Sequence, residues 1–530
     1  MIKRPNLLWG VVLLLAWLFD RFFWGAGGLG MNFAVYLTIC LAGGFVFLLG
    51  NGLKPAFKAL WLLLPFFFFA AITLIRREPL ALFLAYVFVF VSLGLLTFTY
   101  LGGKWFQYGL LDYVKRSFHW MSMSIYQPLV VFYQSQKNRR ELLGRFRGLP
   151  VKPVLRGILI ALPVVMILAG LLSSADAVFG QKLLRVFNLF DLARMPEYIF
   201  RLGVVFLIAY ALAGTFLYAA LHSADEQLAD QDAPTIAPFL GFTEAVIVLG
   251  SVAVLFLAFV MIQFQYFFGG EVNIGVDGFT YSEYARSGFN ELITVAVISL
   301  FLVLGLSVAT VRQDNRQRLL YSALSVAILS EVIVILVSAY QRLNLAIDWH
   351  GFSRLRLYPR VFLIWVGILF AIVIALEIFR RERYFPLAAL LAACGFAATL
   401  GIFNVDGTIV SHNVFRAVQG KHFNVHHLTM LSADAVPALV DAFNDPSLPA
   451  PIHQGIGAAT LCYLYADAYH DDVFAERPAF DWRSVTVSRW MAVNALREVR
   501  DRFDDYRIVQ KPGFVMNVYT PDNQIYECSQ

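Results

Sequence analysis

The chain has 530 residues, 59% of them hydrophobic and 15% charged, with a formal net charge of +6 and a mean hydropathy of +0.66. A soluble domain carries about 25% charged residues, so this composition excludes an ordinary soluble protein. In a soluble chain the positive balance would suggest nucleic acid; here basic loops facing anionic lipid headgroups account for it, and no nucleic-acid partner is expected.

Eleven runs are apolar over a length near the roughly 20 residues that a spanning helix needs: about 7–24, 31–49, 59–75, 80–101, 154–172, 202–221, 243–266, 289–311, 319–340, 361–379 and 385–403. Helices fit these runs; short alternating barrel strands do not. The first run follows a basic start but lacks a small-residue cleavage site, so it reads as a retained helix rather than a signal peptide. Between the fourth and fifth runs, residues 105–133 mix aromatics with charges and read as an amphipathic helix in the membrane interface. Residues 177–200 read as a counterpart on the other side; plain connection is the alternative for both.

Lys and Arg mark cytoplasmic loops. Lys3 and Arg4, ten basic residues between 102 and 156, Arg312, Arg316 and Arg318, and Arg380, Arg381 and Arg383 supply four anchors. Eleven crossings satisfy them all, with the N-terminus inside and everything after 403 outside. The loop 222–236, acidic and without Lys or Arg, fits this least well. Residues 404–530 change character: helical patterns lie near 433–444, 452–470 and 484–504, and VMNVYTPDNQIYEC alternates around a Pro-Asp-Asn turn as a hairpin does. The reading is therefore an all-α polytopic integral membrane bundle, 1–403, with a small, mostly helical extracytoplasmic C-terminal domain, 404–530. Four cysteines are too few for a disulfide scaffold, but Cys462 and Cys528 could pair in an oxidising compartment.

Glu331 stands in the middle of the ninth run. An unpaired charge there costs roughly 2.5–3.5 kcal/mol even on a lenient scale, so it must be protonated, paired or wet. At helical spacing Ala327, Glu331, Ser338 and Arg342 share a face. That stripe suits a proton or cation site, or a neutral Glu acting as interhelical glue. Before the eighth run, Thr280 and Glu283 form a capping box. Glu283, Arg286, Ser287, Asn290 and Glu291 then share a polar side, with Glu291 just entering the membrane. Tyr281 and Tyr284 sit at headgroup depth, where an interfacial aromatic anchor with a Glu283–Arg286 pair is the alternative. The outer loop 341–360 holds Arg342, Arg354, Arg356 and Arg360, against the positive-inside bias. Arginine suits phosphate or carboxylate, so an anionic headgroup is one occupant; a structural ion network with Asp176, Glu283 or Glu291 is the favoured one. Six of the nine histidines fall after 404; His422 and His426 are spaced for one helical face, but no recognised zinc spacing accompanies them. No P-loop, Rossmann, HExxH or GxSxG pattern occurs, so no cofactor, metal or catalytic constellation is expected, and an enzyme is the least favoured class.

The segments RGILIALPVVMILAGLLSSADAVF (156–179), FTYSEYARSGFNEL (279–292), SAYQRLNLAIDWHGFSRLRLYPRVFLIW (338–365), NVDGTIVSHNV (404–414), LSADAVPALV (431–440) and DWRS (481–484) together resemble a family of bacterial polytopic membrane proteins catalogued as a domain of unknown function. The resemblance implies matching positions at Asp176, Tyr281, Glu283, Tyr284, Arg286, Arg342, Arg354, Arg356, Asn404, Asp406, Asn413, Asp434 and Pro437, and a bacterial cytoplasmic membrane; His412 stands where the family pattern has an Arg-like residue. It carries no reaction. The expectation is a multi-pass protein that contacts membrane lipids and either transports or handles an anionic envelope compound or lipid at an outward-facing site, or serves as a scaffold or sensor whose residues 404–530 bind an envelope partner. The outward-facing site would comprise Asp176, Glu283, Tyr284, Arg286, Glu291, Glu331, Arg342, Arg354 and Arg356.

Overall fold

A computed structural model describes residues 3–143, 161, 165, 168, 172, 195–224, 239–268, 289–466, 470–475, 481–510 and 516–528. Among them, ten helices are long and apolar enough to cross a membrane. Nine of these cover the expected runs: Pro5–Phe23, Met31–Gly50, Pro79–Thr99, Met195–Leu221, Phe242–Phe268, Phe289–Ala309, Asn315–His350, Arg354–Ile378 and Phe385–Ile402. The third run forms a short turn, Phe57–Leu60, followed by helix Leu63–Ile75. Pro65 does not break it, because Pro in the first turn removes an N–H that has no helical acceptor. The expected fifth run, with Pro163, and the segment 173–194 lie outside the described residues apart from single positions.

The interfacial expectation for 105–133 falls on a short 3₁₀ turn, Trp105–Gln107, and a 34-residue helix, Leu110–Leu143, with Pro128 inside it. Its exposed apolar side chains, Leu111, Val114, Phe118, Met121, Ile125, Leu129 and Phe132, recur every three or four residues, which places them on one face.

The stretch 341–360 departs from its reading as a loop. Helix Asn315–His350 has 36 residues, about 54 Å at 1.5 Å per residue, and runs well past the apolar stretch. Buried Leu343 and Ile347 continue its packed face beyond the point where hydropathy falls. The chain turns at Gly351, φ +80°, and Ser353 leads into helix Arg354–Ile378. A Cβ at Gly351 would lie 2.5 Å from the Asn413 side chain, so the close packing of this turn also demands glycine.

The described residues form two compact units. In the first (Met1–Gly25, Tyr36–Lys54 and Ser117–Ser223), helix Pro5–Phe23 packs against Met195–Leu221. Arg201 donates to both carboxylate oxygens of Asp20 at 2.8 and 2.5 Å, and Trp24 Nε1 donates to Glu197 at 2.7 Å.

The second unit comprises Ala26–Val35, Pro55–Arg116 and Ala224–Gln530. Helix Asn315–His350 packs against Phe242–Phe268, Phe289–Ala309 and Arg354–Ile378, and the last of these packs on Phe385–Ile402. After residue 403 come helices Val405–Val418, Val425–Thr429, Val436–Phe443, Ala450–Leu464, His470–Phe474 and Val487–Val499. The tail forms the expected hairpin: β2 (Met516–Tyr519) pairs antiparallel with β3 (Ile525–Cys528), Met516 opposite Cys528. Asn523 at φ +62° closes the turn, a conformation Asn tolerates. A strand absent from the sequence reading, β1 (Arg507–Gln510), pairs with β2. Cys462, in helix Ala450–Leu464, is disulfide-bonded to Cys528 at the end of β3.

Candidate functional site

The polar stripe on helix Asn315–His350 meets a partner that the sequence reading missed. Gln263, 7% exposed on helix Phe242–Phe268, accepts through Oε1 from Ser338 Oγ at 3.0 Å and from Arg342 Nη2 at 3.2 Å. The available signal was an amide in an otherwise apolar run, FLAFVMIQF. About two helical turns before Ser338 on the same face, Glu331 Oε2 is buried and has no hydrogen-bond partner among the described residues.

The other arginines of 341–360 are tied to acidic, backbone and aromatic partners within the same unit. Arg354 binds Asp406 in fork fashion, Nε at 2.8 Å and Nη2 at 2.5 Å. Asp406 is fully buried and also accepts from Ser432 N–H at 2.8 Å. A buried carboxylate needs such donors because it cannot recover its hydration. Arg356 donates to the Gly351 carbonyl at 3.0 Å, at the end of the preceding helix, where unsatisfied carbonyls favour a cation. Arg360 donates to Tyr340 Oη at 3.0 Å and lies over the Tyr340 and Phe352 rings. Among the described residues Asp406 is the acid that meets Arg354; of the acids expected for the network, Glu291 is exposed in the first turn of helix Phe289–Ala309. Asp176, Glu283, Tyr284 and Arg286, with Thr280 and Tyr281, lie outside the described residues.

A second buried acid extends the cluster. Asp434, 4% exposed, accepts from the Arg77 and Glu78 N–H groups at 2.7 and 2.8 Å and pairs with Arg76 at 3.5 Å. Arg76 also donates to the Gly401 and Ile402 carbonyls, 3.0 and 2.7 Å. Glu78 caps the next helix by accepting from Leu80 and Ala81 N–H at 2.9 and 2.7 Å, and Tyr358 Oη donates to its carboxylate. The Arg-Arg-Glu-Pro string at 76–79 carried this signal: an acid before Pro, ahead of an apolar run, is an N-cap. Asn404 accepts from Gly407 N–H and donates to the Asp434 carbonyl, both at 2.8 Å. Asn413 brackets Phe352, accepting its N–H and donating to its carbonyl at 2.9 Å each. Arg416 donates to the Asp348 carbonyl at 2.6 Å.

These contacts bring Arg354, Arg356, Asn404, Asp406, Asn413 and Asp434 to one junction between the ends of the long helices and the chain after 404. Beside it an open groove of about 590 Å³ is lined by Asn404, Thr408, Ser411, His412, Phe415 and Asp441, among others. Two imidazoles near the junction are held below their ordinary value of 6.5. For His412 the cause is burial, then the charges of Arg416 and Arg360; for His427 it is burial, then Arg354 and Arg356. Among the described residues no group of three or more His, Cys, Asp or Glu side chains is arranged to hold a metal ion.

Fold and junction together define a class: a multi-pass, all-helical membrane protein whose helix ends are closed by buried carboxylates. Residues 63–442 match a family described as a domain of unknown function (DUF4153), and the chain belongs to that family. The match takes in every residue of the junction. Comparison with curated proteins and with solved structures gives no match.

Proposed function

We propose that the protein handles an anionic envelope compound or lipid, with Glu331 as the group that takes up a proton or cation. The observation that carries this reading is the buried Glu331 Oε2, without a hydrogen-bond partner among the described residues, on the same helical face as Ser338 and Arg342. A carboxylate in an apolar segment is unstable unless it binds a proton or a cation, and a site that must bind one can couple that binding to another ligand. Arg342, already oriented by Gln263, is the cation on this stripe. Arg354, matched by Asp406, is assigned to the frame.

In this reading the N-terminus is cytoplasmic and residues 404–530 form a domain outside, in a bacterial cytoplasmic membrane. The Cys462–Cys528 disulfide supports that side, because disulfides persist in oxidising compartments. The exposed apolar stripe of helix Leu110–Leu143 supports its lying in the inner interface.

The test uses proteoliposomes carrying a fluorescent phosphatidylglycerol and a trapped pH dye. Wild-type protein should scramble the lipid with accompanying proton movement, and Glu331→Gln should abolish both. Equal rates in the two proteins would remove Glu331 from the function.

A second reading, a scaffold or sensor whose chain after 404 binds an envelope protein, is favoured by the junction itself. Two buried acids fasten that chain to the spanning helices, as a fixed platform requires. Cross-linking from residues 404–530 in cells should then capture a partner. Unchanged associations after deletion of 404–530 would exclude this reading.

A further inference from the structure

We infer that the start of helix Val487–Val499, with the loop before it, is a lipid-binding surface that seats the C-terminal chain in the headgroup–acyl boundary of the bilayer. The segment reads DWRSVTVSRWMAVNALREV (481–499). Its helix buries one face through Ser488, Ala492, Val493, Leu496 and Val499. The opposite stripe, at spacings of three and four, is Val487, Trp490, Met491, Asn494 and Glu498. Val487, Trp490 and Met491 are 44%, 53% and 47% exposed. The stripe is therefore apolar in the first turns and polar further on, as expected of a helix that enters an interface by its N-terminal end.

Backbone contacts set the depth of that end. Asn32 N–H donates to the Arg483 carbonyl at 2.8 Å, and Met31 N–H to the Val485 carbonyl at 3.2 Å. Both donors lie in the first turn of the spanning helix Met31–Gly50, whose own helical acceptors are missing there. Gly30 allows the approach, since a Cβ at this position would lie 2.5 Å from the Ser484 carbonyl oxygen. Arg77, in the turn between two further long helices, reaches the Leu29 carbonyl at 3.5 Å, which sets the same level.

Loop 481–486 is thus held where spanning helices begin. The exposed side chains beside it, Leu29 and Met31 at 41% and 37%, continue the patch toward the lipid-facing surface. Trp482, 52% exposed, lies on the same loop. Tryptophan is favoured at this depth because its ring is apolar and its N–H is polar. Continuity with the lipid-contacting helices argues for lipid, rather than a second copy or a soluble partner, as the occupant.

The test places a nitroxide at Met491→Cys, Trp490→Cys or Glu498→Cys, one at a time. The full-length background carries Cys40→Ala and Cys394→Ala and is held in phosphatidylethanolamine–phosphatidylglycerol nanodiscs. The ratio of relaxation by oxygen to relaxation by a water-soluble nickel chelate should be several-fold higher at 490 and 491 than at 498. An equal, water-like ratio at all three positions would overturn the inference. Protection of 490 and 491 from both reagents would also overturn it, because protein would then be the cover.

Discussion

Replacing Arg354 by methionine tests whether the junction is a buried ion pair or a surface one. Asp406 has a side-chain exposure of 0% and Arg354 one of 23%. The substitution keeps the alkyl stem but removes two charge-assisted hydrogen bonds of 2.8 and 2.5 Å, leaving Asp406 with the Ser432 N–H at 2.8 Å. Stranding a buried charge costs about 3–5 kcal/mol. The partial exposure of Arg354 puts the expectation near the lower end, about 3 kcal/mol. Asp406→Leu alone strands the guanidinium, which can still reach water, and should cost about 2 kcal/mol. The double variant removes both desolvated charges and should lie within about 1.5 kcal/mol of wild type. The cycle then gives a coupling above roughly 2 kcal/mol. Arg354→Lys, which loses the fork geometry but keeps the charge, should fall between wild type and methionine. Denaturant unfolding in a mild detergent reads all four variants. A cost under about 1 kcal/mol for Arg354→Met, the range of exposed pairs, with coupling near zero, would refute the reasoning.

Three further outcomes are expected. Cys462→Ser with Cys528→Ser opens a loop of sequence separation 66, for which the chain-entropy estimate is about 4 kcal/mol; amide exchange in β2 and β3 should rise more than in helix Asn315–His350, and uniform protection would contradict it. His427 favours its neutral form in the fold, so below 6.5 the unfolded chain binds more protons and stability falls as pH decreases through that value; His427→Gln should flatten the slope of the unfolding midpoint against pH, and an unchanged slope would assign it to other groups such as His412. A Cβ at Gly395 would lie 2.1 Å from the Trp365 ring, so Gly395→Leu should lower the unfolding midpoint by an overpacking cost of about 1–3 kcal/mol; an unchanged midpoint would show that Trp365 moves aside freely.

Local rules explain which parts of the cluster were readable. Glu331 could be seen because a single acid in an apolar run is anomalous whatever surrounds it. Arg354 and Arg356 could be seen as an excess of charge, but their partners could not, since Asp406 stands 52 residues from Arg354 along the chain. Gln263 and Glu78 passed unnoticed because an amide at the end of a run and a helix cap are ordinary features until another helix closes on them. The stretch 341–360 is mostly helical rather than a loop for a related reason. Polar residues there end the hydropathy signal, while Leu343 and Ile347 keep the helix going by packing.

The sequence by itself determined the solvent of this protein. Runs near 20 apolar residues satisfy their own backbone hydrogen bonds only as helices, so membrane class and nearly every span follow from composition and period. The hairpin at 516–528 was likewise set by alternation and a local turn. The tertiary structure decided which acid meets which arginine, that Cys462 meets Cys528, and that Gly30 lies against Ser484. Each of these is a contact between residues far apart in the chain. Local propensity says nothing about such pairs, and packing makes them specific by leaving a buried charge or a missing Cβ no alternative neighbour.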